Sequence, residues 1–335
     1  APRRNPDRPP IEDLDSLPHP AWDLLDLTAS RYQQIPMVNL RSIPVPLLAS
    51  RGCPYSCSFC SQDKAVRRFR RRSIASLVEE LDLMVRRHGF RSFGFNDAYF
   101  PVDREAGLDF CERLRAKPWC GEVRWVTETR VDQVDDEVMA AMRSVGLHAI
   151  FFGFESGNER ILASVGKGTT VAQGREAIRV AHRHGVKVIG FFMVGLPGET
   201  RETVLETLRF AMDNDVDIAK FAVTIPYPGS RLFPLLGRST LSLEECDRFT
   251  SWFDWTRGDG GALWAPEGMS PQELVRLQRW CMTRFYLRPA YIAWALRTGL
   301  FSPGEMAAGG RIIFSRLAHG VLPSLKLRGR GLGRT

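Results

Sequence analysis

Val45-Pro46-Leu47-Leu48-Ala49-Ser50-Arg51-Gly52-Cys53-Pro54-Tyr55-Ser56-Cys57-Ser58-Phe59-Cys60 joins a short apolar run to three cysteines spaced C-x3-C-x2-C. The run Val45–Ala49 suits a buried strand. Three thiolates a few residues apart on the loop that follows can converge on one soft metal centre. Structural zinc sites take four ligands, commonly two pairs split by a longer spacer. The nearest further donors here are His88 and Cys111, at no such spacing. An electron-transfer [4Fe–4S] site fills all four corners with cysteine. Three cysteines therefore point to a cluster with one iron left open, as catalytic zinc keeps an open position.

Beyond the loop a regular rhythm sets in. Apolar runs suited to buried strands lie at Val45–Ala49, Ser92–Asn96, Val123–Thr127, Ala149–Phe154, Val186–Val194 and Ile218–Ile225. Between them, amphipathic stretches predict helices over 73–88, 103–116, 135–145, 171–184 and 200–214. Arg87-His88-Gly89, Ser144-Val145-Gly146 and Arg183-His184-Gly185 each place glycine between a helix and the next strand, where a left-handed residue is favoured. His88 and His184 read as last-turn residues facing the helix dipole rather than ligands. Helix, glycine, strand is the unit of a parallel α/β sheet, and six units make an open doubly wound sheet or an incomplete barrel. After about residue 240 the strand rhythm stops. Residues 242–255 and 270–320 read as helical, with Trp280, Phe285, Tyr286, Tyr291, Trp294 and Phe301 packing against the preceding core.

Composition narrows the function classes. Of 335 residues, 44% are hydrophobic and 25% charged, an ordinary globular balance. Seven cysteines in a chain of this length exclude a disulfide scaffold, and Cys111, Cys120, Cys246 and Cys281, scattered, read as small apolar core residues. No apolar run reaches the roughly 18 residues of a membrane span, and the N-terminus lacks a signal-peptide core; a cytoplasmic location is expected. The net charge of +8 comes almost wholly from arginine, concentrated in Arg67-Arg68-Phe69-Arg70-Arg71-Arg72 and Lys326-Leu327-Arg328-Gly329-Arg330. Aromatic residues do not interleave these runs as in single-strand binders, so arginine on solvated helix faces is favoured over a nucleic-acid partner.

A C-x3-C-x2-C loop after the first strand, with aromatic Phe59 before the last cysteine, resembles the radical S-adenosylmethionine (SAM) superfamily. The resemblance implies a partial (β/α)6 TIM-type barrel with a C-terminal helical extension. It also implies a [4Fe–4S] cluster on Cys53, Cys57 and Cys60, SAM chelating the open iron, reductive cleavage to a 5′-deoxyadenosyl radical, and abstraction of a substrate hydrogen. Segments matching the family lie at successive strand ends. Asn96 and Asp97 occupy the region that contacts the SAM amino group in relatives, and Glu128 and Arg130 would point at SAM or substrate. Glu155 and Ser156, in a G-x-E-S-G segment, would lie near the ribose and carboxylate. Gly195 and Leu196 begin a GLPGET segment near the adenine, and Tyr227 belongs to a YPGS turn. Glu199 and Thr200 also suit a helix start, and Lys167 matches a common K-G pair.

The segment 11–23, the GLPGET and YPGS segments and Arg284–Pro289 are similar to the cobalamin-binding branch. There a Rossmann-like cobalamin domain precedes the barrel, and methylation is common. The chain begins at Ala1 rather than Met and where that domain would end. Either the upstream part lies outside this chain, or this is a shorter relative that dispenses with cobalamin and decarboxylates, dehydrates or epimerises its substrate. The expected organisation is a linker over 1–40, the barrel over 41–260, and a helical region with a basic tail over 261–335. A small molecule, secondary metabolite or lipid, is the expected substrate, with flavodoxin or ferredoxin as electron donor. The alternative from another class is a non-catalytic zinc or Fe–S module that binds RNA.

Overall fold

In a computed structural model, which describes residues 5, 6, 8–24, 44–61, 68–237, 242 and 262–298, six parallel strands form one sheet. They are β1 (Val45–Leu47), β4 (Ser92–Phe95), β5 (Arg124–Thr129), β6 (Leu147–Glu155), β7 (Lys187–Val194) and β8 (Ile218–Val223). β2 (Ser50–Arg51) and β3 (Arg70–Arg71) make a small antiparallel pair. The helices between are α1 (Ile74–His88), α2 (Arg104–Arg115), α3 (Asp136–Ser144), α4 (Glu159–Ser164), α5 (Val171–Arg183) and α6 (Arg201–Asp213). The sheet order β1-β4-β5-β6-β7-β8 never reverses. A doubly wound sheet reverses at a switch point; right-handed crossovers without reversal put every helix on one face. The sheet is thus the partial barrel, not the open alternative.

Local chemistry sets the boundaries. Ser73, Asp103, Asp135, Asn158, Thr170 and Thr200 each cap a helix by accepting a backbone N–H. Gly89, Gly146 and Gly185 take φ of 71°, 99° and 68°. At Gly146 a Cβ would stand 2.5 Å from the Val123 carbonyl oxygen, so neither the conformation nor the space admits a side chain.

The outer face of the sheet holds the core. Trp125 stacks on Phe93 and meets Phe110 of α2 edge-on, while Phe154, Phe192 and Phe210 of α6 cluster beside Phe221. Phe152, Phe192 and Phe221 are at most 1% exposed; burying such a side chain stabilises by roughly 1.5–3 kcal/mol.

The described part of the expected linker lies on this core. Trp22 is buried and donates Nε1–H to Glu80 at 3.2 Å; Arg72 pairs with the same carboxylate at 2.5 Å. The arginine run clamps that segment through Arg68, which pairs with Glu12, and Arg70, which donates to the Ile11 carbonyl, while Arg71 pairs with Asp103 at the start of α2. After β8, α7 (Pro271–Tyr286) packs on β8 and α6, with Gln278 and Tyr286 donating to the Phe221 and Ala219 carbonyls and Phe285 fully buried. The chain divides after Leu287, and the described part of the second unit is α8 (Pro289–Thr298). The helix expected over 242–255, the continuation past 298, Phe301, Cys246, Arg67 and the basic tail lie outside the described residues. Among the described residues no helix is long and apolar enough to cross a membrane.

Candidate active site

Strand alternation separates two faces of the sheet. With Trp125, Phe152, Phe154, Phe192 and Phe221 turned to the helices, Val126, Glu128, Phe151, Gly153, Ile189, Phe191, Met193 and Lys220 line the concave interior. The cysteine loop crosses the C-terminal mouth of that interior, where barrels of this kind place their chemistry.

Cys53, Cys57 and Cys60 are half-buried and in no disulfide. Their loop is held from several directions. Ser58 N–H donates to the Val165 carbonyl at 2.9 Å, Leu232 N–H to the Ser58 carbonyl at 3.2 Å, and Arg231 to the Ser56 carbonyl. Phe59 packs on Ile161, Val165 and Leu196, beside Met193. Arg130 lies over the Tyr55 ring at 3.6 Å, and Gln133 donates to the Tyr55 hydroxyl. Burial pushes the Cys57 thiol up, while the Lys167 ammonium and the Arg130 guanidinium pull it the other way. Among the described residues no three His, Cys, Asp or Glu side chains are gathered as one metal ion requires; thiolates that each take a different iron need no such convergence. Cys111 and Cys281 are buried, and burial lifts each thiol to about 12.

The strand-end residues divide between interior and scaffold. Asn96 is exposed on the inner face, and Glu128 is reached by solvent within the interior. Enclosure raises the Glu128 carboxyl, against the pull of Lys220. Asp97 is buried and accepts from Ala49 N–H (2.9 Å) and from the N–H and hydroxyl of Ser50 (both 2.5 Å), so it ties β4 to the end of β1. Arg130 forks onto Asp132 at 2.9 and 2.8 Å and donates to the Lys167 carbonyl at 2.8 Å. Ser156 meets Thr207 of α6 at 3.1 Å, on the helix side. The N–H groups of Gly195 and Leu196 donate to Glu199, whose carboxyl burial lifts to about 7. Thr200 caps α6, and Ser230 closes its turn on the Tyr227 carbonyl at 2.7 Å.

Glu155 stands at a bulge in β6 with φ of 63°, and its carboxylate pairs with Lys167 at 2.5 Å. Bulges and left-handed non-glycine residues gather at functional sites, where they re-aim a side chain. Lys167 also donates to the Gly153 carbonyl at 2.5 Å. Sequence reasoning missed Tyr55 and Asp132, which hold Arg130, and the interior Lys220. Tyr55 lay inside the cysteine loop and Asp132 two residues past Arg130, so proximity was the available signal.

Comparison with known proteins places this geometry. The family model described as Radical SAM superfamily matches residues 47–211, from β1 to α6. An uncharacterized methyltransferase of Pyrococcus horikoshii is 32% identical over 291 residues, covering 86% of this chain and 59% of that protein. The anaerobic magnesium-protoporphyrin IX monomethyl ester cyclase of Rubrivivax gelatinosus is 37% identical over 234 residues, covering 69% and 41%. This chain thus spans roughly half the length of these relatives. Among solved structures, the radical SAM methyltransferase TsrM of Kitasatospora setae, with cobalamin and a [4Fe–4S] cluster bound, aligns with a TM-score of 0.54 at 20% identity, over 70% of this chain and 43% of that one; at that identity the likeness is one of fold. With motif, strand order and family model in agreement from the first strand to the sixth helix, the chain belongs to the radical SAM superfamily.

Proposed function

We propose that this chain is the SAM-cleaving barrel of an enzyme that opens a C–H bond of a small molecule. The loop Cys53–Cys60 carries the reading: three half-buried thiols on one short segment, its backbone fixed from both sides, beside Lys167 and Arg130. That donor set fits a [4Fe–4S] cluster, since three thiolates leave one iron unligated by protein, and Lys167 and Arg130, though each is paired with a carboxylate, favour the thiolate form of Cys57. Bound there, the cluster would supply the electron that breaks the SAM sulfonium bond and frees an adenosyl radical to take a substrate hydrogen.

The residues of the chain bind and orient. Cys53, Cys57 and Cys60 hold the cluster, and Phe59 shields it on the Ile161–Val165–Leu196 side. Asn96, Glu128 and Glu155 offer polar groups to SAM from the inner face, and Tyr227 and the Gly195–Leu196 backbone border the adenine side. Asp97, Arg130 and Ser156 act one step back, fixing the strand ends and the cysteine loop. Bound cofactor and substrate filling that interior would keep water from a reactive radical.

Methyl transfer is the favoured outcome, supported by likeness to a relative named as a methyltransferase over 86% of this chain. Cobalamin, bound in the TsrM structure, is the proposed methyl carrier; without it, decarboxylation, dehydration or epimerisation follows. A flavodoxin- or ferredoxin-type donor in the cytoplasm would supply the electron. Anaerobic reconstitution tests the reading: about four irons and four sulfides per chain, and 5′-deoxyadenosine formed from SAM under reduction, both lost in Cys57→Ala. Reconstituted protein that leaves SAM intact, or one zinc per chain with salt-sensitive RNA binding, overturns it.

A further inference from the structure

The inner face is not filled as a closed barrel would be. In eight-stranded barrels inward side chains pack in layers and leave no channel. Here the inward residues Val126, Ala149 and Ile189 are packed, at most 4% exposed. Other inward residues are accessible: Glu128 is exposed, and Phe151, Phe191 and Lys220 are half-buried. Those four residues occupy four consecutive strands, β5 to β8. Glu128 is the register partner of Phe151, and Phe191 of Lys220; between β6 and β7 the row steps by two residues, since Phe151 pairs with Ile189 and Phe191 with Gly153. The Phe151 and Phe191 rings stack at 5.8 Å and 25°, and the Lys220 ammonium stands 5.6 Å from the Phe191 centroid. The row runs acid, ring, ring, base. With neighbouring strands ~4.8 Å apart, three spacings separate its two ends by on the order of 14 Å.

Each part of the row restricts what it accepts. Two rings stacked on each other and half-buried present apolar surface to the interior, which favours an aromatic or other apolar partner by burial. A lysine at one end offers a point charge to an anion in a site of low dielectric. Enclosure brings that ammonium down to about 8, against the pull of Glu128, so it stays charged at neutral pH while partly stripped of water. Glu128 at the other end repels an anion and fixes the polarity of whatever lies on the rings.

We propose that this row is the substrate-binding wall: it takes an aromatic or similarly apolar molecule bearing one anionic group, with the apolar body against Phe151 and Phe191 and the carboxylate or phosphate toward Lys220. The proposal deepens the functional reading above and rests on it for the identity of the ligand as substrate. Lys220 is then a specificity residue for this chain.

The test uses the anaerobically reconstituted full chain and three probes with one ring system: 2-naphthoate, 2-naphthyl phosphate and the neutral 2-naphthalenemethanol. Binding is read by calorimetry and does not depend on turnover. In the wild type the anions bind more tightly than the alcohol. Lys220→Met weakens an anion by about tenfold or more, the usual loss for one charge-assisted contact, leaves the alcohol unchanged, and Lys220→Arg restores the anion. A response from carboxylate alone or phosphate alone supports the proposal and names the group. Equal anion binding in Lys220→Met and wild type overturns it. So does a parallel loss of all three probes, which would mark a collapsed pocket rather than a lost charge. Failure to form 5′-deoxyadenosine in the same preparation would refute the enzyme reading while the probe data stand by themselves.

Discussion

Replacing Arg130 by methionine separates a strut from a ligand contact. The guanidinium is 7% exposed, forks onto Asp132 at 2.9 and 2.8 Å, reaches the Lys167 carbonyl at 2.8 Å, and covers the Tyr55 ring at 3.6 Å. Methionine keeps most of the length and removes every one of these contacts. Breaking a buried ion pair by deleting one partner costs about 3–5 kcal/mol, because the other is left unpaired. Asp132 keeps 17% of its side chain exposed, which moves the figure to the low end. The cation–π contact adds about 1 kcal/mol, and contacts sharing one group do not sum fully. The expected loss is about 3–4 kcal/mol, read as a lower urea midpoint at unchanged slope. Because Tyr55 lies between Cys53 and Cys57, retained iron per reconstituted chain should fall as well. Arg130→Lys should recover only part of both, since an ammonium cannot form the fork. A loss under about 1 kcal/mol with iron retained, but with weaker SAM binding, would refute the strut and make Arg130 a direct SAM contact.

Other expectations follow from single sites. Gly153→Ala would put a Cβ 2.5 Å from Glu155 Oε1 and 2.6 Å from Lys167 Nζ, so both side-chain ends must shift; thermal melts should show a loss of about 1–3 kcal/mol, the usual cost of overpacking. Glu199 has a carboxyl lifted to about 7 by burial, so the folded state holds its proton more tightly than the unfolded chain. Stability should therefore fall between about pH 4.5 and 7, by up to about 3 kcal/mol, and Glu199→Gln should flatten that decline in a melting series. His182 is raised by its bond to Asp217, against burial. Its contribution should be full below about pH 6.5 and lost as pH rises through the higher folded value, so wild type and His182→Gln should converge in Tm by alkaline pH. Cys111→Ala should keep full iron, since that buried thiol lies on α2, away from the loop.

Much of the frame was legible because it rests on local rules. Apolar runs marked all six strands to within about three residues, and caps and glycines marked the helix ends, since both depend on residues adjacent in the chain. The choice between a doubly wound sheet and a barrel was not local; it depends on which strands neighbour one another, and the family likeness supplied it. The short helix α4 was missed because six residues carry too little periodicity. The single helical stretch drawn over 270–320 breaks at Leu287–Arg288, where Pro289 disfavours a helical conformation in the residue before it. In the site, residue types at strand ends were visible but their directions were not. Asp97 and Ser156 resemble ligand contacts in sequence; in the fold one satisfies two buried N–H groups and the other faces α6. Which polar group turns inward is set by a bulge or a helix contact, neither of which has a sequence motif here.

The bulge in β6 shows how scaffold and site depend on each other. One extra residue there lets Phe154 keep its place against Phe192 while Glu155 enters left-handed backbone, at a cost of about 1–3 kcal/mol for a residue with a Cβ. That cost is offset by the contact Glu155 reaches, a 2.5 Å pair with a lysine 6% exposed. The pair occupies the space a side chain at position 153 would take, and Lys167 gains a second anchor on the Gly153 carbonyl. The Lys167 carbonyl holds Arg130, and the Arg130 guanidinium holds Tyr55 in the cysteine loop. Removing Lys167 alone would thus leave a strained, buried carboxylate facing the position where a negatively charged cluster is proposed. Lys167→Met should therefore harm iron retention more than Glu155→Gln, which removes the charge together with its need for a partner. The reverse order would show that the Glu155 carboxylate, rather than the Lys167 charge, is what the cysteine loop depends on.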